Sequence, residues 1–224
     1  MLVYDRIFDE HEGVWAIRRS QEGAWGKTWQ LSGPGTELFG MAVGAGGAAV
    51  AIHGHVDGEG RPNGPHFASR MSPAGRWGAP VQQPAGLGFG RTLGINANGR
   101  ALIVGWDGAA LMGRWSGSEG QWRRPFVLAA DVPKTPKRGL TTQVEMNRRG
   151  DAVVAWGAKG RISHVWARYK PVGQQWTPPV RLTRADKPPQ LFRVAIGDCG
   201  HVAFAWVAKD DDRELQVLRA SPLP

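Results

Sequence analysis

Apolar residues along this chain come in short runs and not in helical stripes. "AAVAIH" (48–53), "RALIVGW" (100–106), "DAVVAW" (151–156) and "HVAFAW" (201–206) are six or seven residues long, and each follows a turn rich in Gly or Asn. Runs of this length, compact or alternating and closed by turn residues, predict β-strands. No window keeps a 3.6-residue period behind a helix cap, so no helix is predicted. The expectation is an all-β chain.

The runs recur. Trp106, Trp156 and Trp206 close three of them and lie fifty residues apart, while His53 stands where the fourth would carry Trp. The turn before each run ends in Gly47, Gly99, Gly150 or Gly200. A second landmark follows each run: a short strand carrying Arg, a Gly turn, then Trp. It reads "IRRSQEGAW", "SRMSPAGRW", "GRWSGSEGQW" and "ARYKPVGQQW", ending at Trp25, Trp77, Trp122 and Trp176. "VLRASP" begins a fifth copy. The arginines of this landmark are Arg18, Arg70, Arg114, Arg168 and Arg219. Each unit therefore reads as four short strands, A to D, and four strands per repeat of 40–50 residues is the pattern of a propeller blade. The spaced tryptophans then fill the wedges between blades, where a large flat ring buries much area.

Through the Gly turn, the strand-B Trp and the "WTPP" that opens strand D, the chain resembles bacterial repeat proteins of the β-propeller class. The resemblance implies a β-propeller of four-stranded antiparallel blades. The units fall at about 2–31, 39–82, 91–128, 141–182 and 191–220, with the first lacking strand A and the last lacking strand D. Three arrangements satisfy that count: five blades closing a small ring, an arc of a larger ring, or two chains joined head to tail through open blade edges. Within the chain no domain boundary is expected. Fold alone does not fix function, since scaffolds, binding modules and enzymes share this one.

Composition agrees with many tight turns and Trp as the large core residue: 32 Gly, 16 Pro and 11 Trp against 7 Phe and 2 Tyr. The single cysteine, Cys199, excludes an internal disulfide framework and a cysteine-based zinc site. No apolar run approaches the ~20 residues of a membrane helix. "MLVYDRIFDEHEG" lacks the basic-then-apolar order of a signal peptide and reads as a strand. Export is what the resemblance implies, not what the residues show.

The formal charge is +9, which suits anionic partners. Its densest run comprises Arg123, Arg124, Lys134, Lys137, Arg138, Arg148 and Arg149, set against Asp131 and Glu145. No aromatics are interleaved with it, as a single-strand nucleic-acid binder would require. Nucleic acid is accordingly the weaker partner class, behind protein or glycan.

In a four-strand meander the A–B and C–D turns share one face and the B–C and D–A connections the other. The first set is uniformly tight, the second long and varied ("HGHVDGEGRPNGPH", "AADVPKTPKRGL"), so the second face is the expected site of binding. Ligand-binding candidates are His53 and His55, at i and i+2 in "HGHVDGEG" with Asp57 and Glu59, and Arg91 with Arg193, each opening a strand A at the mouth of the central channel. No third metal ligand is fixed by spacing, and no metal or cofactor is expected. The stretch "GKTW" (26–29) looks like the end of a sialidase Asp box, but Ala24 and Glu22 stand where that motif needs Asp and Ser or Thr. A sialidase-like hydrolase would also need a Tyr nucleophile, and only Tyr4 and Tyr169 are present. No catalytic residues are assigned. The expected function is a non-catalytic scaffold that binds a protein or glycan through the B–C/D–A face.

Overall fold

A computed structural model describes residues 2–6, 12–20, 22–59, 62–84, 87, 89–130, 132, 140–158, 164–183, 189–208 and 215–220, with the backbone alone described at 2–6, 89–91, 140, 158, 189–191, 208, 215–216 and 219–220. Among the described residues eighteen strands form five antiparallel meanders. Blade 1 holds β1 (Leu2–Arg6), β2 (Gly13–Arg19) and β3 (Trp25–Gln30). Blade 2 holds β4 (Thr36–Val43), β5 (Ala49–Val56), β6 (Pro62–Met71) and β7 (Val81–Gln83). Blade 3 holds β8 (Phe89–Ile95), β9 (Ala101–Trp106), β10 (Leu111–Trp115) and β11 (Phe126–Ala129). Blade 4 holds β12 (Leu140–Met146), β13 (Ala152–Ala158), β14 (Val165–Lys170) and β15 (Val180–Arg181). Blade 5 holds β16 (Pro189–Ile196), β17 (Val202–Ala208) and β18 (Leu215–Ala220). Strand β4 packs against β8, β8 against β12 and β12 against β16, while β1 and β2 pack on the other side of β4. These are the blades of a β-propeller, three complete and two of three strands, with strand A innermost in blades 2 to 5. Among the described residues no helix is long and apolar enough to cross a membrane.

The hairpins explain the glycines. In each A–B turn a glycine N–H returns to the carbonyl three residues earlier: Gly47 to Gly44, Gly99 to Asn96, Gly150 to Asn147 and Gly200 to Gly197. All four glycines have φ between +78° and +101°, the left-handed position after a type I turn that a side chain disfavours. The C–D turns repeat the device at Gly23, Gly75 and Gly120, while Gly173 shares the positive φ and the N–H of Gln174 makes the return bond to Pro171.

Four hydrophobic layers fill the wedges, one per gap. The gap between blades 1 and 2 holds Val14, Ala16, Leu31 and Ala51; that between 2 and 3 holds Val50, Ile52, Leu93 and Ile103. The gap between 3 and 4 holds Leu102, Trp115, Val144 and Trp156; that between 4 and 5 holds Val153, Tyr169, Phe192 and Phe204. Residues that alternate along one strand therefore serve two different layers, as the period of two demands.

The register corrects two details of the repeat. His53, Trp156 and Trp206 are equivalent, pairing with Leu38, Thr142 and Phe192. Trp106 is not; it lies one residue further along, so it faces forward into the gap between blades 3 and 4 while Trp156 faces backward into the same gap. The arginines split likewise. Arg70 pairs with Val50, the second residue of its strand B, whereas in blades 3 and 4 that position belongs to Trp115 and Tyr169. Arg114 and Arg168 sit one residue earlier and point the other way. A slip of one residue turns a side chain to the opposite face of its sheet.

Candidate functional site

The sequence candidates do not converge. His53 is a core residue, 1% exposed, with Nε2 2.8 Å from the Ser69 hydroxyl and its ring stacked on Phe67. Burial lowers its pKa to about 4, so it stays neutral. It occupies the wedge position that Trp156 fills two blades on, and the expectation that it binds a ligand beside His55 fails for that reason. His55 is exposed, and Asp57 turns its carboxylate onto the backbone N–H of Glu59. Among the described residues no group of three or more His, Cys, Asp or Glu could hold a metal ion.

Arg193 lines the central channel, a cavity of about 330 Å³ that it shares with Thr92, Gln143 and Glu145. Gln143 accepts the N–H of Val194, tying β12 to β16. The channel walls push the Glu145 carboxyl above its ordinary range by desolvation. The residue in register with Arg193 on β8 is Thr92, since both pair with equivalent positions of strand B. Arg91 lies one place earlier, beside an irregularity in the ladder, and its side chain falls outside the described residues. The two arginines thus occupy different register positions.

The basic run is divided as well. Arg148 pairs with Asp198 at 3.7 Å and Arg149 with Asp151 at 3.0 Å, on the face of the tight turns. Arg123 and Arg124 are exposed elsewhere, and Lys134, Lys137 and Arg138 lie outside the described residues. So does much of the B–C and D–A face, including 159–163 and 184–188.

The described part of that face holds a pocket which the sequence did not reveal. Between blades 3 and 4 a cavity of about 390 Å³ is lined by Val127, Leu128, Trp156, Trp166, Arg168 and Pro179. Trp156 and Trp166 are register partners on β13 and β14, next to the departing B–C connection. Trp156 is buried at 3% exposure and Trp166 is half-buried; both line the cavity. Backward-facing Arg168 crosses the gap and is anchored by donating to the carbonyls of Leu128 and Trp176 and, at 2.6 Å, of Thr177. Among the described residues these bonds leave each terminal nitrogen with a second N–H. Desolvation lowers its pKa, yet a guanidinium remains charged at any ordinary pH. The site therefore offers indole faces, an apolar lip with Val127 54% exposed and a fixed cationic donor. Tyr169, by contrast, is buried between blades 4 and 5, with burial and the nearby Asp151 charge raising its pKa; it cannot serve as an exposed nucleophile.

No family profile matches the chain, and neither does the sequence of any curated protein. Solved structures do. The BP39L lectin from Burkholderia pseudomallei matches with a TM-score of 0.60 at 16% identity over 96% of this chain and 63% of that one. A fucose-specific lectin from Aleuria aurantia gives 0.58 at 16% over 94% and 67%. AofleA from Arthrobotrys oligospora gives 0.51 at 14% over 93% and 61%. At these identities the likeness shows the fold, a β-propeller. The chain spans about two thirds of the length of these structures.

Proposed function

We propose that this chain is a non-catalytic glycan-binding β-propeller, and that the pocket between blades 3 and 4 takes a sugar ring. The observation that carries the reading is the Trp156–Trp166 pair walling a cavity beside the anchored guanidinium of Arg168. The apolar C–H face of a pyranose packs on an indole, while its hydroxyls accept hydrogen bonds from a guanidinium that is already held in place. A preset donor loses little freedom on binding. The pocket opens on the side of the varied connections, where a repeated scaffold accommodates specificity. Two of the matched propellers are named as lectins, which supports the ligand class.

A glycan array followed by calorimetry with the retained sugars tests this. Trp166→Ala should weaken binding at least about tenfold, equivalent to about 1.4 kcal/mol, while Trp25→Ala, at an exposed Trp on another blade, leaves it unchanged. Retained glycans should be recovered with their mass unaltered. An array on which the folded protein retains no glycan, or retention indifferent to Trp166→Ala, overturns the reading.

A further inference from the structure

The three gaps between blades 1 and 4 are built by the same two-sided rule, and the gap between blades 4 and 5 shows its front half. From the front of one blade, the residue paired with the second position of strand B reaches into the next blade. Arg70 donates to Ser116 Oγ at 3.1 Å and to the carbonyls of Gly99, Gly117 and Ser118. Trp115 stacks on Trp176, with centroids 6.4 Å apart, and Tyr169 packs in the layer shared with blade 5. In the first gap Arg18 reaches the Pro73 carbonyl in the same sense. From the back of the following blade, the Trp that ends its C–D turn leans onto its predecessor. Trp77 packs on the layer of blades 1 and 2, Trp122 on that of 2 and 3, and Trp176 on that of 3 and 4.

Two halves of this junction are left over. On the back of blade 1, Trp25 occupies the place of Trp77, Trp122 and Trp176, yet it is 54% exposed. On the front of blade 5, Ala203 and Val217 hold the places of Val153 and Ala167. Those two are 1% and 5% exposed beneath blade 5, whereas Ala203 is exposed and Val217 is 65% exposed. Arg219 pairs with Ala203, the register of Arg70. One end of the arc therefore presents the back of a junction and the other end presents its front.

We infer that a second copy of this chain docks head to tail, the back of its blade 1 on the front of blade 5, continuing the inter-blade layer between molecules. The chain itself carries the complementary surface, so the occupant follows from the junction rule. Such an interface is heterologous: using one end leaves the other free, and association proceeds to a ring or an open series.

Light scattering and sedimentation over a wide concentration range test the inference with the full chain. The mass should rise above the 24.3 kDa of one chain as concentration rises. Trp25→Glu and Val217→Glu each alter a side chain already half or more in water, so circular dichroism should show both folded. Each variant alone should remain monomeric. Mixed, they should form a dimer and nothing larger, because the intact front of the first fits the intact back of the second. A wild-type chain monomeric at every concentration, association that survives either charge, or a mixture that stays monomeric would each overturn it.

Discussion

The gaps on either side of blade 2 and the gap between blades 3 and 4 solve one packing problem with different chemistry. Around blade 2 the forward positions are Arg18 and Arg70, and the backward wedge position is His53. These gaps are laced by guanidinium-to-carbonyl bonds over a layer of Val, Ile and Ala. Between blades 3 and 4 the same positions are Trp115 and Trp156, joined by Trp106 and Trp176, and Arg100 lies 4.3 Å above the Trp115 ring. The polar gaps are directional cross-links that lose a set of bonds together; in the aromatic gap buried ring area dominates, with the bond from Arg168 to the Leu128 carbonyl beside it, and stability falls with the area removed. The aromatic gap holds the cavity lined by Trp156 and Trp166.

Removing the ring at the centre of the aromatic gap should have the largest effect. Trp115→Ala should cost about 3–5 kcal/mol in urea unfolding, and a smaller loss would mean that the neighbouring rings collapse to fill the space. Next comes His53, whose folded pKa of about 4 lies below the ordinary histidine value of 6.5. Its neutral form is built in, so stability is full above pH 6.5 and falls as pH drops toward 4, by up to about 3 kcal/mol, because the unfolded chain takes up the proton first. His53→Phe should flatten that part of the profile; an unchanged slope would place the titration elsewhere. Arg70→Ala should cost about 2 kcal/mol by removing four hydrogen bonds to the next blade. Arg70→Lys should recover little, since an ammonium cannot copy the planar fork. Smallest is Arg100→Met, at about 1 kcal/mol for the cation above Trp115. A double-mutant cycle with Trp115→Leu should show coupling, and full additivity would remove the contact from the account.

The antiparallel four-stranded blades and their hairpin glycines were legible because they depend on local rules: turn chemistry and run length. The face each landmark occupies was legible in part and misread. Arg18 to Trp25 and Arg70 to Trp77 span seven residues, while Arg114 to Trp122 and Arg168 to Trp176 span eight. That single extra residue puts the arginine on the other side of its sheet. Trp106 likewise follows its turn glycine by seven residues where Trp156 and Trp206 follow theirs by six, and an even spacing of fifty concealed the slip. The pocket was not legible. Trp166 sits outside every repeat landmark, and only register pairing with Trp156 across β13 and β14 brings the two rings to one wall. His53 misled for a related reason: in a loop reading it stands beside His55, whereas the strand continues through it and carries its ring into the core.

The turns at the inner ends of blades 2 and 3 have a consequence for how the two blades meet. Gly44 and Gly46 lie so close to the carbonyls of Asn96 and Ala97 that a side chain at either would collide with the neighbouring backbone. Main chain thus abuts main chain, and how closely blades 2 and 3 approach at this point depends on two hydrogen atoms where other residues carry a carbon.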